Sequence, residues 1–244
     1  MKKSFPKELK KENSPALENL FSKYTHLPLG GKEIVCPYWM NNLKEGIFGP
    51  FGGKGTPEQI VEATENEAKV ADLSLREMTA EEILNFMKER KIGVDCSGFV
   101  FWMLDSLEKE KGGRGLEQDF YPDRTLVPTK ANVATLTEPQ FVLPIKLNDV
   151  KVGDMIKLDK GRHVAIVIEV IREVKTNQVK EIVYAHSSAR TKMSGVHAAK
   201  ILIIDSQKEL EAQKWCEESK RGGSYGSYLF PQEGDGLKRL KILV

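Results

Sequence analysis

Residues 93–111 read GVDCSGFVFWMLDSLEKEK, and this stretch is the most informative part of the chain for the fold. Asp95 can cap a helix, and the apolar residues after it recur at the spacing of one helical face. We therefore predict an amphipathic helix over residues 96–111, with a buried stripe that faces the core. The stripe consists of Phe99, Val100, Met103, Leu104 and Leu107.

The chain changes character after this helix, and its C-terminal part has the β-branched residues and the alternation of strands. The predicted strands cover residues 154–158, 163–174, 179–188, 196–205 and 240–244. Because short polar turns separate most of them, we expect an antiparallel meander. Capping-box patterns at Thr56 and Thr79 predict two further helices upstream. The predicted fold class is α+β, with helices in the N-terminal half packed on an antiparallel β-sheet.

The composition is that of an ordinary globular protein. The chain has 244 residues, of which 40% are hydrophobic and 30% charged, so a wholly disordered chain is not expected. Thirty-seven basic and 35 acidic residues give a formal net charge of +2, which provides no strong field to recruit nucleic acid or anionic lipid. No apolar run approaches the roughly 20 residues of a transmembrane helix. We therefore expect no nucleic-acid partner and no membrane partner.

Three cysteines, Cys36, Cys96 and Cys216, lie far apart in the sequence. Without a CxxC pair they lack the pattern of a structural zinc site, and an odd, sparse set does not suggest a disulfide framework. The odd, sparse set of cysteines favours a reducing compartment. The first residues are charged, whereas a signal peptide needs about 7–15 consecutive apolar residues. The expected location is cytoplasmic, and no metal or cofactor is expected.

The predicted organisation is one main domain with an N-terminal arm. Residues 1–30, which are charged and interrupted by prolines, form the arm. Residues 31–244 form the main domain, with insertions near 42–90 and 112–150. A glycine-rich loop at 52–55 lacks the spacing of a phosphate-binding loop and the strand before it, so we do not expect it to bind phosphate.

Cys96 is the candidate nucleophile, because it is predicted to begin a helix directly after Asp95. Backbone N–H groups and the helix dipole at that position favour the thiolate. Gly98 is expected to leave the first turn open to a substrate. Cys36 and Cys216 are interpreted as ordinary thiols, since most free cysteines behave as small core residues.

Two of the four histidines are candidate partners for this cysteine. His163 begins one predicted strand and His186 ends the next, so one hairpin can bring their side chains together. His163 would act as the base, and His186 would hold its tautomer. His26 and His197 are interpreted as ordinary polar residues, with His197 a weaker competitor because its strand lies near His186.

The hexapeptide DCSGFV at residues 95–100 resembles the signature of the NlpC/P60 cysteine peptidases. Three further elements follow in the order of that family: a Gly-Asp pair that opens a strand, a strand that begins with histidine, and a strand that ends in a polar residue. In this chain the Gly-Asp pair begins at Gly153. The strand that begins with histidine starts at His163, and the third strand ends around His186. The resemblance covers about residues 93–205.

The resemblance implies a papain-like fold and a cysteine hydrolase of the peptidase or amidase type (a thiol protease). It assigns Cys96 as nucleophile, His163 as base and His186 as the orienting third residue. Tyr38 and Ser97 are the predicted oxyanion or substrate-binding residues, beside the Cys96 N–H. Family members cleave cell-wall peptides, often beside D-glutamate, so a peptide or muropeptide derived from peptidoglycan is the expected substrate.

Two insertions distinguish the chain from the family pattern. Fifty-seven residues, 39–95, separate Tyr38 from Cys96, and the segment 116–150 is long for the family. Either insertion can cap the cleft and change the substrate.

Other functions are compatible with parts of this pattern. A thioester acyltransferase would use the same triad, and an inactive peptide-binding module would keep only the cleft. Zinc binding by Cys96, His163 and His186 would lack a fourth ligand. A nucleic-acid adaptor would depend on a lysine run that usually forms a solvated face. That run consists of Lys2, Lys3, Lys7, Lys10 and Lys11.

Overall fold

The computed structural model describes residues 8–41, 44–121 and 125–244. Residues 1–7 of the predicted arm, which include Lys2, Lys3 and Lys7, lie outside the described residues. Short parts of both predicted insertions, residues 42–43 and 122–124, lie outside them as well.

Helices dominate the first half of the chain and strands the second. The helices are α1 (Pro15–Thr25), α2 (Pro57–Val70), α3 (Ala80–Glu89), α4 (Cys96–Glu110), α5 (Leu116–Asp119) and α6 (Val133–Leu136). The strands are β1 (Leu9–Asn13), β2 (Leu27–Leu29), β3 (Lys32–Ile34), β4 (Val142–Pro144), β5 (Met155–Leu158), β6 (His163–Glu173), β7 (Val179–Ser188), β8 (Gly195–Leu202), β9 (Lys214–Trp215) and β10 (Gly236–Leu240). Short 3₁₀ helices occur at Pro50–Gly53, Pro128–Lys130, Leu147–Asp149, Leu210–Ala212, Tyr225–Tyr228, Pro231–Glu233 and Lys241–Leu243. The α+β class is confirmed.

Helix α4 begins where the sequence predicts, because the Asp95 carboxylate accepts a hydrogen bond from the Gly98 N–H at 2.7 Å. Its predicted apolar stripe is buried, from Phe99 to Leu107. The predicted capping boxes at Thr56 and Thr79 are also present and begin α2 and α3. Local side-chain chemistry therefore defines the start of each of these three helices.

Antiparallel pairing forms the main sheet, in the order β4-β10-β5-β6-β7-β8-β9, while β2 and β3 form a separate hairpin. Strands β5 to β8 follow one another, which confirms the predicted meander. The last strand differs from the prediction of 240–244: β10 ends at Leu240 and inserts between β4 and β5. Strand β1, which was not predicted, pairs with the distal half of β6.

A hydrophobic core lies on each face of this sheet. Helices α1 and α4 cover one face, where Leu17, Tyr24 and Phe99 pack in the same core cluster as Val164 and Ile166. The described part of the predicted arm thus shares its core with the main domain. A second cluster on the other face includes Ile156, Val167, Ile182, Trp215 and Tyr225. Among the described residues, no helix combines the length and apolar character needed to cross a membrane.

Candidate active site

A cleft of about 980 Å³ opens where α4 and β6 both begin. Cys96, His163 and Tyr38 line it together, although they are far apart in the sequence. Residues 129–134 form part of its wall, so the second predicted insertion contributes to the cleft. His186 lies beneath the cleft and is fully buried.

Cys96 is held at the first turn of α4 with its side chain almost fully buried. The Val164 N–H donates a hydrogen bond to its sulfur, which places the sulfur beside the start of β6. Burial raises the pKa of the Cys96 thiol to about 12, and the nearby Asp95 carboxylate acts in the same direction. Burial therefore opposes the preference of the helix N-terminus for the thiolate.

His163 and His186 are directly hydrogen-bonded, with 2.8 Å between His163 Nε2 and His186 Nδ1. Burial, and then the neighbouring His186, hold the pKa of His163 well below its ordinary value. Burial also lowers the pKa of His186. Both rings are therefore neutral at pH 7, and one hydrogen is shared between them.

Glu217 accounts for the direction of that hydrogen bond. Its Oε1 lies 3.0 Å from His186 Nε2 and 2.7 Å from His197 Nε2, and its Oε2 accepts a hydrogen bond from the Tyr184 hydroxyl. Burial alone would raise the pKa of Glu217, but the hydrogen bonds from His186 and His197 hold it far below its usual range. The ionised carboxylate accepts from His186 Nε2, so His186 Nδ1 accepts from His163 Nε2. The unprotonated nitrogen of His163 is therefore Nδ1.

Lys54 lies at the other side of Cys96 and is itself buried. Its ammonium contacts both carboxylate oxygens of Asp95 at 2.7 Å and the Ser97 hydroxyl at 2.6 Å. Ser97 donates to Asp95 at 3.0 Å, so its hydrogen is committed within the protein. The predicted role of Ser97 as an oxyanion donor is therefore not supported, although the residue lines the cleft.

Gly98 does not open the first turn of α4 to a substrate, as the sequence suggested. A Cβ at this position would lie 2.3 Å from the Gly53 carbonyl oxygen and 3.0 Å from Lys54 Cα. The absence of a side chain therefore serves close packing of the Gly53–Lys54 backbone against α4, and this packing brings Lys54 to Asp95.

Tyr38 reaches the cleft through backbone pairing. The Trp39 N–H donates to the Val94 carbonyl oxygen at 3.3 Å, and the Val94 N–H donates to Pro37 at 3.1 Å. These bonds bring together the two ends of the long insertion between Tyr38 and Cys96. Burial raises the pKa of Tyr38, and the proximity of Cys96 adds to the effect. The hydroxyl therefore stays protonated, and it donates a hydrogen bond to Met40 Sδ at 3.6 Å.

One group of side chains in the described residues has the donor atoms of a metal site. His186, His197 and Glu217 place their ligand atoms within 4.8 Å of one another. This group differs from the set of Cys96, His163 and His186 considered from the sequence. Hydrogen bonds among the three side chains already account for their approach.

Comparison with known proteins gives no match: no protein-family model, no curated protein and no solved structure is similar to this chain.

Sequence reasoning missed three residues of this site. His197 was interpreted as an ordinary polar residue, whereas it pairs with His186 across β7 and β8 and contacts it at 3.0 Å. Glu217 lies in a polar segment with no informative spacing to either histidine. Lys54 was noted only as part of the glycine-rich loop. The position of His197 on the strand after His186 could have indicated its role. The sequence has no pattern that indicates Glu217 or Lys54.

Proposed function

We propose that this protein is a cysteine hydrolase that cleaves an amide bond through a thioester intermediate. The observation that carries the proposal is the hydrogen bond of 2.8 Å from His163 Nε2 to His186 Nδ1, at the wall of the cleft that contains Cys96. This bond leaves His163 Nδ1 as a base in the same cleft as a thiol at a helix N-terminus.

In the first step His163 acts as a general base. The Cys96 sulfur forms a bond to the substrate carbonyl carbon while His163 Nδ1 takes the thiol proton. Transfer during attack fits a resting pair of neutral thiol and neutral imidazole, since the pKa of Cys96 is raised and that of His163 is lowered. The Cys96 N–H and the Tyr38 hydroxyl are the donors for the oxyanion.

In the second step the imidazolium of His163 gives its proton to the leaving amine, and the carbon–nitrogen bond breaks. Water then attacks the thioester carbon while His163 takes a proton from it; the carbon–sulfur bond breaks, His163 returns the proton to the Cys96 sulfur, and the acid is released. His186 and Glu217 stabilise the transient charge on His163 through the hydrogen bonds described above.

The fold and substrate class form the finer part of this proposal. The four sequence elements shared with NlpC/P60 peptidases support a papain-like fold and a peptide or muropeptide substrate. The cleft has room for several residues of a peptide. All three cysteines are unpaired, which supports a cytoplasmic location.

The test is cleavage of a synthetic wall-type peptide, L-Ala-γ-D-Glu-L-Lys, by the purified protein, with products identified by mass spectrometry. We expect cleavage by the wild type and none by Cys96→Ala or His163→Ala. Hydroxylamine should divert the acyl group to a hydroxamate if a thioester forms. Cleavage that persists in Cys96→Ala would overturn the proposal. Rapid transfer to an added amine with little hydrolysis would identify an acyltransferase instead.

A further inference from the structure

A second cavity, of about 420 Å³, adjoins the catalytic cleft. The two cavities share Arg162, Ala189 and Arg190 in their walls. The second cavity is therefore adjacent to the cleft that contains Cys96.

The lining of this cavity is strongly cationic. It contains Arg162, Arg190, Lys220 and Arg221, against the single carboxylate of Asp159. Four positive charges and one negative charge leave a surplus of +3. Among the residues that the structure describes, no carboxylate forms an ion pair with Lys220 or Arg221. These two cations therefore remain available to a ligand.

Asp159 organises the two arginines rather than neutralising the cavity. Its side chain is buried, with one oxygen 2.7 Å from Arg162 Nη2 and the other in contact with Arg190 Nη1. The side chains of Arg162 and Arg190 remain 64% and 51% exposed, respectively. The N–H groups that Asp159 does not contact are therefore accessible from the cavity that these side chains line. Two guanidinium groups fixed by one buried carboxylate form a preorganised anion receptor.

The segment that carries Lys220 is held in place by the backbone of Arg190. The Lys220 N–H donates to the Arg190 carbonyl oxygen at 2.8 Å. Arg190 also connects the cavity to the catalytic centre, since its charge contributes to the lowered pKa of His163. The cationic group therefore lies within electrostatic range of the reacting atoms.

We propose that this cavity binds a multiply charged anionic group of the substrate, either a phosphate ester or a pair of carboxylates. The proposal rests on the proposed hydrolase function and specifies its substrate class. A surplus of three positive charges exceeds what one carboxylate would neutralise, and arginine is well suited to bidentate contact with phosphate or carboxylate oxygens.

Calorimetric titration of the Cys96→Ala protein tests binding without catalysis. The probes are inorganic phosphate and succinate at equal ionic strength. The probe that binds more tightly shows whether the substrate group is a phosphate ester or a pair of carboxylates. We expect saturable binding of at least one probe, weakened about tenfold or more in a Lys220→Gln/Arg221→Gln variant. The matched control, Lys69→Gln/Lys88→Gln, removes two exposed charges on α2 and α3 and should bind like the parent.

The same pair of variants in the otherwise wild-type chain separates the two proposals. The Lys220→Gln/Arg221→Gln variant should raise KM for a phosphoserine-containing or diacidic peptide, whereas Lys69→Gln/Lys88→Gln should leave that KM at the wild-type value. Absence of probe binding, or equal binding by both double variants, would overturn the anion site even where Cys96-dependent cleavage is present. Probe binding without any Cys96-dependent cleavage would instead contradict the hydrolase function.

Discussion

His197 faces a hydrogen-bond acceptor at each of its ring nitrogens, and one of these acceptors is Glu217. Nδ1 lies 2.9 Å from the Gly195 carbonyl oxygen, and Nε2 lies 2.7 Å from Glu217 Oε1. Thr191 Oγ1 is 3.2 Å from the same Nε2, and its hydroxyl hydrogen is donated to Met193. Glu217 Oε1 therefore lies within hydrogen-bond distance of both His197 and His186, behind the two histidines that are hydrogen-bonded at the cleft. The contact with His197 holds the Glu217 carboxylate against His186.

Substitution of Glu217 should disturb catalysis without removing any residue that contacts the substrate. In Glu217→Gln the amide can present an N–H to His186 Nε2, which reverses the hydrogen bond to His163 and protonates His163 Nδ1. We expect kcat to fall about 10–100-fold with little change in KM. Steady-state kinetics and the ¹⁵N chemical shifts of the His163 ring provide the two readouts.

Glu218→Gln is the matched control, because Glu218 is the adjacent exposed carboxylate and pairs with Lys192 at the surface. It should retain wild-type kcat. Equal kcat values for the Glu217 and Glu218 variants would show that Glu217 has no positioning role.

Alkylation of the three cysteines should follow their burial. At pH 8 a thiol with a pKa of about 12 is ionised in about one molecule in 10⁴, so Cys96 should react slowly with iodoacetamide. The exposed Cys216 should be labelled first, and the buried Cys36 last. Peptide mass spectrometry from pH 6 to 10.5 measures each rate. A Cys96 rate that reaches a plateau below pH 8 would instead indicate a resting thiolate.

Acid should destabilise the folded protein through its buried histidines. The pKa values of His163 and His186 are lowered in the folded state, so the unfolded chain binds more protons below the ordinary value of 6.5. The contribution of these two histidines to the free energy of unfolding is therefore fully present above about pH 6.5 and is lost as the pH decreases from there. Urea unfolding at pH 7.5, 6 and 5 measures this slope.

His163→Gln should reduce the acid sensitivity, whereas His26→Gln should leave it unchanged because His26 is exposed and outside the cluster. A free energy of unfolding of the wild type that increased from pH 7.5 to pH 5 would contradict the predicted direction.

The buried pair of Lys54 and Asp95 should be important for stability as well as for the site. Lys54→Met leaves the Asp95 carboxylate buried without its cation, and we expect a loss of about 3–5 kcal/mol in the free energy of unfolding. The comparison is Lys23→Met, which removes the exposed pair with Glu58 and should cost about 0–1 kcal/mol. Urea unfolding of both variants gives the difference, and similar costs for the two would contradict the role of Lys54.

The fold was predictable where local chemistry determines it. The start of α4 at Cys96 follows from its cap, and strands β6 and β7 match the predicted ranges to within one residue. Strand β1 was missed because its sequence, LKKEN, has no apolar alternation and is a strand only through pairing with β6. The papain-like fold remains a prediction.

One contact of the candidate site, between His163 and His186, was predictable because a single hairpin brings these two residues together. His197 meets His186 through the register of β7 and β8, which depends on the conformation of residues 189–194. Glu217 and Lys54 arrive through tertiary contacts with no sequence periodicity, so a single sequence gives no physical basis for selecting them.

The position of β10 has a consequence for synthesis of the chain on the ribosome. Strands β5 to β8 can pair as soon as they emerge, but the neighbour that covers the outer edge of β5 is encoded at residues 236–240. Until then the nascent sheet exposes unpaired N–H and C=O groups beside apolar residues such as Ile156. We therefore expect nascent or C-terminally truncated chains to depend on chaperones for protection from aggregation, whereas the finished protein conceals that edge within its own sheet.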